Sequence, residues 1–315
     1  MPPNPFLAPK VLPLVVGHRG VPLLHQENTL AGFRRAVELG LPAVELDVRL
    51  TADRRAVCLH DADLERLTGT AANIADLTWD QVSRLRIRTE LPMGTGSDGG
   101  EVALRYDRPE PIPLLAEVLD EIAGKLAINV ELKLARHRWW ESEVGEVAAE
   151  EIARANAQQR VIVTSFDPRK LRAAARVRPE LAVGFAFDDT MLDFAAPLLD
   201  LIPLLATELS TFDRRPHANS RRLLGRILDT HIVGRILDTR VVGADHTLVG
   251  PRTVAYMRRR GVVIGTHTLF PIGSTTGKRI DPRASSPAEA DRLVGLGVDW
   301  IETDDPERLM MQVHR

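Results

Sequence analysis

The chain has 315 residues, 44% apolar and 27% charged, a globular composition with ample length to bury a core. Its net charge of −2 removes any electrostatic case for nucleic acid as a partner, so anion binding has to be local. The single cysteine, Cys58, excludes an intramolecular disulfide and suits a reducing cytosol; no long apolar run follows the proline-broken start, so the expected location is cytoplasmic, without stable membrane insertion.

In chain order, short β-branched runs recur at 14–17, 43–48, 127–132, 160–165, 182–187, 241–245, 262–266 and 299–303, with helical patterns between them. Strands alternating with helices predict an α/β fold with a parallel sheet. Eight such units suggest closure into a (β/α)8 TIM barrel, although the pattern alone also admits an open doubly wound sheet. The stretch 61–111 breaks the rhythm after the second strand. It holds one short helix, opened by the capping box Thr78-Trp79-Asp80-Gln81, and a glycine-rich run at 94–100. It reads as a small insertion within a single domain spanning 11–315. Before the sixth strand, Gly225-Arg226-Ile227-Leu228-Asp229-Thr230 recurs as Gly234-Arg235-Ile236-Leu237-Asp238-Thr239, a tandem duplication that lengthens a helix or loop. The Ser-x-x-Glu capping box Ser286-Pro287-Ala288-Glu289, with proline at the first helical position, opens a late helix, and Gly295 and Gly297 are expected to stop it.

Four clusters carry chemistry. Gly17-His18-Arg19-Gly20 ends the first strand and offers a proton carrier and a fixed cation on an accessible turn, although such a pair alone is more often structural. Glu45 and Asp47 alternate onto one face of the second strand, and Val44, Leu46 and Val48 make that strand buried on both sides. Two inward carboxylates repel unless a cation lies between them, and oxygen-only ligands point to Mg²⁺ or Ca²⁺. Glu131 and Lys133 share a face of the third strand, as a further ligand and a phosphate contact or as a plain ion pair. Cys58-Leu59-His60-Asp61 closes a run that folds back beside the second strand, returning His60 toward the carboxylates, with Cys58 in the core.

Taken in order, His18-Arg19-Gly20, Glu27-Asn28-Thr29, Glu45-Leu46-Asp47-Val48 and His60-Asp61 resemble the signature of glycerophosphodiester phosphodiesterases. Leu64-Glu65-Arg66-Leu67-Thr68, Ile112-Pro113-Leu114, Glu131-Leu132-Lys133 and the closing stretch from Asp299 to Pro306 extend the resemblance over nearly the whole chain. It implies metal-dependent hydrolysis of small-molecule glycerophosphodiesters to glycerol 3-phosphate and an alcohol. Residue by residue, it implies His18 and His60 as acid and base, and Glu45, Asp47 and Glu131 as ligands of a divalent cation. Arg19 and Lys133 would lie on the phosphate, with Glu27 and Asn28 supporting the first loop. It also implies attack by the glycerol hydroxyl next to the phosphate, through a cyclic phosphate that water opens.

Four places depart from the family pattern. Gly265-Thr266-His267-Thr268-Leu269 stands where a Trp-Thr-Val-Asn-like run is frequent, Glu302 where the family is apolar and Trp300 where a small residue is common; Asp245-His246 also matches poorly. All are expected near the mouth, bearing on the alcohol side. One alternative is a phospholipase D-like enzyme on lysophospholipids or sphingolipids, with Trp139-Trp140 lining an apolar groove or simply packing a helix. The other is a non-catalytic phosphate-ligand binding protein, against which the intact set of histidines and carboxylates argues.

Overall fold

The structure is a computed structural model that describes residues 3–133, 142–187, 239–277 and 279–315. The described strands are β1 (Leu14–Gly17), β2 (Ala43–Leu50), β3 (Ala56–Cys58), β4 (Glu90–Thr95), β5 (Glu101–Arg105), β6 (Ala127–Leu132), β7 (Val161–Ser165), β8 (Ala182–Phe187), β9 (Val241–Asp245), β10 (Val263–Leu269) and β11 (Trp300–Thr303). β1, β2 and β6 to β11 are parallel, and β1 is bonded to β11 on one side and to β2 on the other. The ring is therefore closed, which selects the barrel over the open sheet.

The described helices are α1 (Leu30–Glu38), α2 (Glu65–Thr68), α3 (Trp79–Val82), α4 (Leu115–Ile122), α5 (Glu143–Arg154), α6 (Pro168–Val177), α7 (Pro251–Arg259), α8 (Pro287–Leu296) and α9 (Pro306–Val313). The larger ones bury one stripe against the barrel; in α4 it is Leu115, Val118, Leu119 and Ile122, at helical spacing. Side-chain caps fix several strand-to-helix turns: Thr29 accepts from Gly32 N, Asp167 from Arg169 N, and Asp305 from Arg308 N. Two expectations about α8 need correction. Gly295 lies inside the helix, and Gly297 alone ends it, in the left-handed region at φ 72°. The capping box is also half made: Ser286 accepts from Ala288 N, while the Glu289 carboxylate accepts from Arg292 and meets His246 Nδ1 at 2.7 Å.

The 61–111 stretch holds more than one short helix. It contains α2, a 3-10 turn at Ile74–Asp76, α3, and an antiparallel hairpin of β4 and β5. The glycine-rich run turns that hairpin, with Gly94 and Gly99 at positive φ. Leu64, Leu67, Ile74, Val82, Ile87, Leu91 and Met93 form an apolar cluster with Val57, Leu59, Ile112 and Leu114. Trp139-Trp140 and all of the duplication except Thr239 lie outside the described residues.

Inward side chains divide the barrel interior in two. At the N-terminal end of the strands, Val16, Ala43, Ala127, Ile162, Val241 and Trp300 pack together with Phe6, whose ring meets Trp300 edge-on at 5.6 Å. Trp300 therefore lies at the end of the barrel opposite the mouth, contrary to expectation, because it begins β11 and Glu302 is the next inward residue. Its indole occupies the space left by Gly265 on the neighbouring strand, where a Cβ would fall 1.7 Å from a ring carbon. Gly265→Ala is expected to cost about 1–3 kcal/mol by overpacking, read as a lower urea midpoint at unchanged slope. Above this plug the interior turns polar. Asn129 Nδ2 donates to Glu302 Oε1 (2.7 Å), and Thr164 Oγ1 donates to Asn129 Oδ1 (2.8 Å).

Candidate active site

The first strand-to-helix connection shapes one wall of the mouth. A Cβ on Gly17 would fall 2.2 Å from the Gly20 carbonyl oxygen, so the turn closes only over glycine. Arg19 and Asn28 both adopt positive φ, and Asn28 N donates to Arg19 O (3.0 Å), folding the loop back on itself. The second wall comes from the β2–β3 hairpin. Val48 pairs with Cys58, and Leu59 N donates to Asp47 O (2.9 Å), which returns His60 to the carboxylates as the sequence pattern suggests. Cys58 is fully buried in the main core, and burial pushes its thiol well up.

Glu45 and Asp47 are fully buried, and Asp47 pairs in register with Glu131 on β6. One oxygen from each of Glu45, Asp47 and Glu131 lies within 4.8 Å of the others. Asn28 clamps Asp47 twice: its Nδ2 donates to Asp47 Oδ2 (2.8 Å), and its Oδ1 accepts from Asp47 N (3.0 Å). Arg19 N donates to Glu45 Oε2 (2.9 Å), but Glu45 Oε1 is buried with no hydrogen-bond partner. Lys133 Nζ lies 2.8 Å from Asp47 Oδ1 and 2.5 Å from Glu131 Oε1. Burial lifts the Glu45 carboxyl well above its ordinary range, and Asp47, Glu302 and Glu131 add to it. Asp47 goes the other way: burial opposes ionisation, but Lys133, His60 and Arg19 hold it well below. An all-oxygen set in which Glu45 Oε1 and Asp47 Oδ1 are buried without a hydrogen bond, and an ammonium standing where positive charge is needed, fits a hard divalent cation.

Each histidine is seated on a carboxylate. His18 Nδ1 is 2.6 Å from Asp304 Oδ1, and its Nε2 is 3.9 Å from Glu45 Oε2. Asp304 is itself fixed by Ile272 N, which donates to Oδ2 (2.9 Å). His60 Nδ1 is 2.7 Å from Asp61 Oδ1. Burial, with Arg19 and Lys133 adding to it, lowers His60 from 6.5 to about 4, leaving a neutral ring. A ring held by Nδ1 presents Nε2 for proton transfer. Arg19 Nη1 donates to Glu27 Oε1 (3.1 Å), and Glu27 also binds Arg66. Burial opposes the ionisation of Glu27, but the two arginines keep it below its ordinary value.

The fold thus brings together the nine site residues named from sequence. Asp61, Arg66 and Asp304 were given no role there. Asp61 directly follows His60, and Asp304 falls in the closing stretch that carries the resemblance, but its pairing with His18 spans 286 residues and has no local signal. Of the departures from the family pattern, Asp245, His246, His267, Thr268 and Glu302 line the cavity with His18, Arg19, His60 and Lys133.

The profile of the glycerophosphoryl diester phosphodiesterase family matches residues 18–308. A glycerophosphodiester phosphodiesterase of Caldanaerobacter subterraneus subsp. tengcongensis is 32% identical over 303 residues, covering 96% of this chain and 98% of that protein. Among solved structures, an Oleispira antarctica phosphodiesterase in complex with the product sn-glycerol-3-phosphate superposes with a TM-score of 0.65 at 20% identity, covering 96% of this chain and 98% of that one. A glycerophosphodiester phosphodiesterase of Thermotoga maritima gives 0.57 at 22% identity, covering 95% and 97%. At these identities the two structures speak for the fold.

Proposed function

The chain belongs to the glycerophosphoryl diester phosphodiesterase family, and from that premise we propose how its residues cleave a glycerophosphodiester to glycerol 3-phosphate and an alcohol. The observation that carries the reading is the pair of carboxylate-seated histidines beside a nest of three carboxylates, of which Glu45 and Asp47 are buried and Glu131 is partly so. Glu45, Asp47 and Glu131 would hold the divalent cation, Mg²⁺ or Ca²⁺. When bound, such an ion supplies positive charge against the phosphate oxygens and acidifies a nearby hydroxyl. Lys133, which pairs with Asp47 and Glu131, and Arg19 would add their positive charge on the phosphate.

His60 is held neutral and takes the proton of the glycerol hydroxyl next to the phosphate. That oxygen bonds to phosphorus as the bond to the leaving alcohol breaks, and His18 donates a proton to the departing oxygen. Water then opens the cyclic phosphate, with the proton transfers reversed. Glu27 and Asn28 support this by fixing Arg19 and Asp47. We read 11–315 as one catalytic domain with 61–111 inserted after the β2–β3 hairpin, supported by the apolar cluster that joins the insertion to Val57, Leu59, Ile112 and Leu114 of the surrounding chain. No described helix is long and apolar enough to cross a membrane. A cytoplasmic location is supported by the lone, buried thiol.

The test is glycerol 3-phosphate release from glycerophosphocholine and glycerophosphoethanolamine after EDTA treatment, followed by Mg²⁺ or Ca²⁺. EDTA is expected to stop release and one of the ions to restore it. No release with either ion overturns the reading, and turnover confined to lysophospholipid would move the protein to the lipid-directed alternative.

A further inference from the structure

Arg66 lies on α2, in the stretch that interrupts the barrel, yet its guanidinium is largely buried below the mouth. Nε donates to Asp61 Oδ2 (2.5 Å), Nη2 to Glu27 Oε1 (2.7 Å) and Nη1 to Glu27 Oε2 (3.0 Å). The other oxygen of Asp61 seats His60 Nδ1 (2.7 Å), and Glu27 Oε1 also accepts from Arg19 Nη1 (3.1 Å). A continuous chain therefore runs His60, Asp61, Arg66, Glu27, Arg19, with one rigid fork at its centre. Arg66 is absent from the described side chains that line the cavity, so it reaches the substrate only through its neighbours. Spanning two carboxylates at once needs the planar guanidinium, because a lysine ammonium is a single point charge on a flexible stem.

We propose that Arg66 is a positioning residue that locks the His60 ring and the Arg19 guanidinium in one fixed relation, so that proton transfer and phosphate binding are set by the same side chain. This rests on the roles proposed above for His60 and Arg19. A bare anchor for the inserted stretch would hold the fold without touching kcat selectively.

The experiment is a kinetic double-mutant cycle on the full chain with its activating cation, using glycerophosphocholine. In Arg66→Met, kcat is expected to fall about 100-fold, the cost of a small misplacement of a reacting group, and KM to rise with it. In a His60→Ala background the same substitution should raise KM but lower kcat no further, because the group it positions is gone. Arg66→Lys should recover part of kcat. Near wild-type kcat in Arg66→Met, or an undiminished kcat loss on top of His60→Ala, overturns the proposal while leaving the two-histidine reading intact. High activity in His60→Ala itself overturns that reading, and this proposal with it. If circular dichroism shows Arg66→Met to be unfolded, Arg66→Lys carries the same cycle.

Discussion

His60→Ala is expected to lose about 10²–10⁴-fold in kcat on glycerophosphocholine, the span of a general base, with little change in KM. The ring is seated on Asp61, neutral, and set beside the carboxylate nest by the β2–β3 hairpin, so removing it deletes proton acceptance and leaves the phosphate contacts. Two further readouts separate base from acid. The base must be deprotonated, so kcat/KM falls as pH drops through its pKa, and the acid limb should lie near 4, well below an ordinary histidine limb at 6.5. The p-nitrophenyl ester of glycerol 3-phosphate has a leaving group that needs no proton. It should restore turnover to His18→Ala and not to His60→Ala; the opposite pattern exchanges the two roles.

Glu45→Gln is expected to abolish turnover, and also the rise in melting temperature expected when Mg²⁺ or Ca²⁺ is added to the native chain. Glutamine keeps the size of the side chain and can still accept from Arg19 N, so the loop is spared. What disappears is a buried carboxylate that burial and three neighbouring acids push toward protonation. A ligand at about 100 times its Kd stabilises by about 2.7 kcal/mol, so the lost shift is easily measured by calorimetry. The cation-free variant should be at least as stable as the cation-free native chain, because the substitution relieves repulsion against Asp47, Glu302 and Glu131. An unchanged cation-induced shift would remove Glu45 from the ligand set.

Much of this architecture is legible in local pattern. The barrel strands announce themselves as β-branched runs, and two-residue alternation puts Glu45 with Asp47, and Glu131 with Lys133, on common faces. The hairpin of β4 and β5 is hidden because Pro92 and Gly94 interrupt its first strand, and such residues normally argue against a strand. Trp300 is misplaced by sequence for a different reason. Alternation shows that it faces inward, but its level in the barrel follows from the pairing of Gly265 with Trp300, a relation between strands. Asp304 and Arg66 are harder still, since Asp304 pairs with His18 across 286 residues and Arg66 joins nearby Asp61 to distant Glu27.

The seam between β1 and β11 has a kinetic consequence. It joins the first and last strands of the ring, His18 N donates to Thr303 O across it (2.9 Å), and the His18–Asp304 contact spans 286 residues. Contacts between such distant segments must close a long loop before they contribute, so this seam is expected to form late in folding. Until this seam zips, His18 has no carboxylate to orient it. Recovery of turnover after dilution from urea is thus a stopwatch for ring closure rather than for helix formation. Fraying of the last strand would silence the enzyme while most of its helical signal persists.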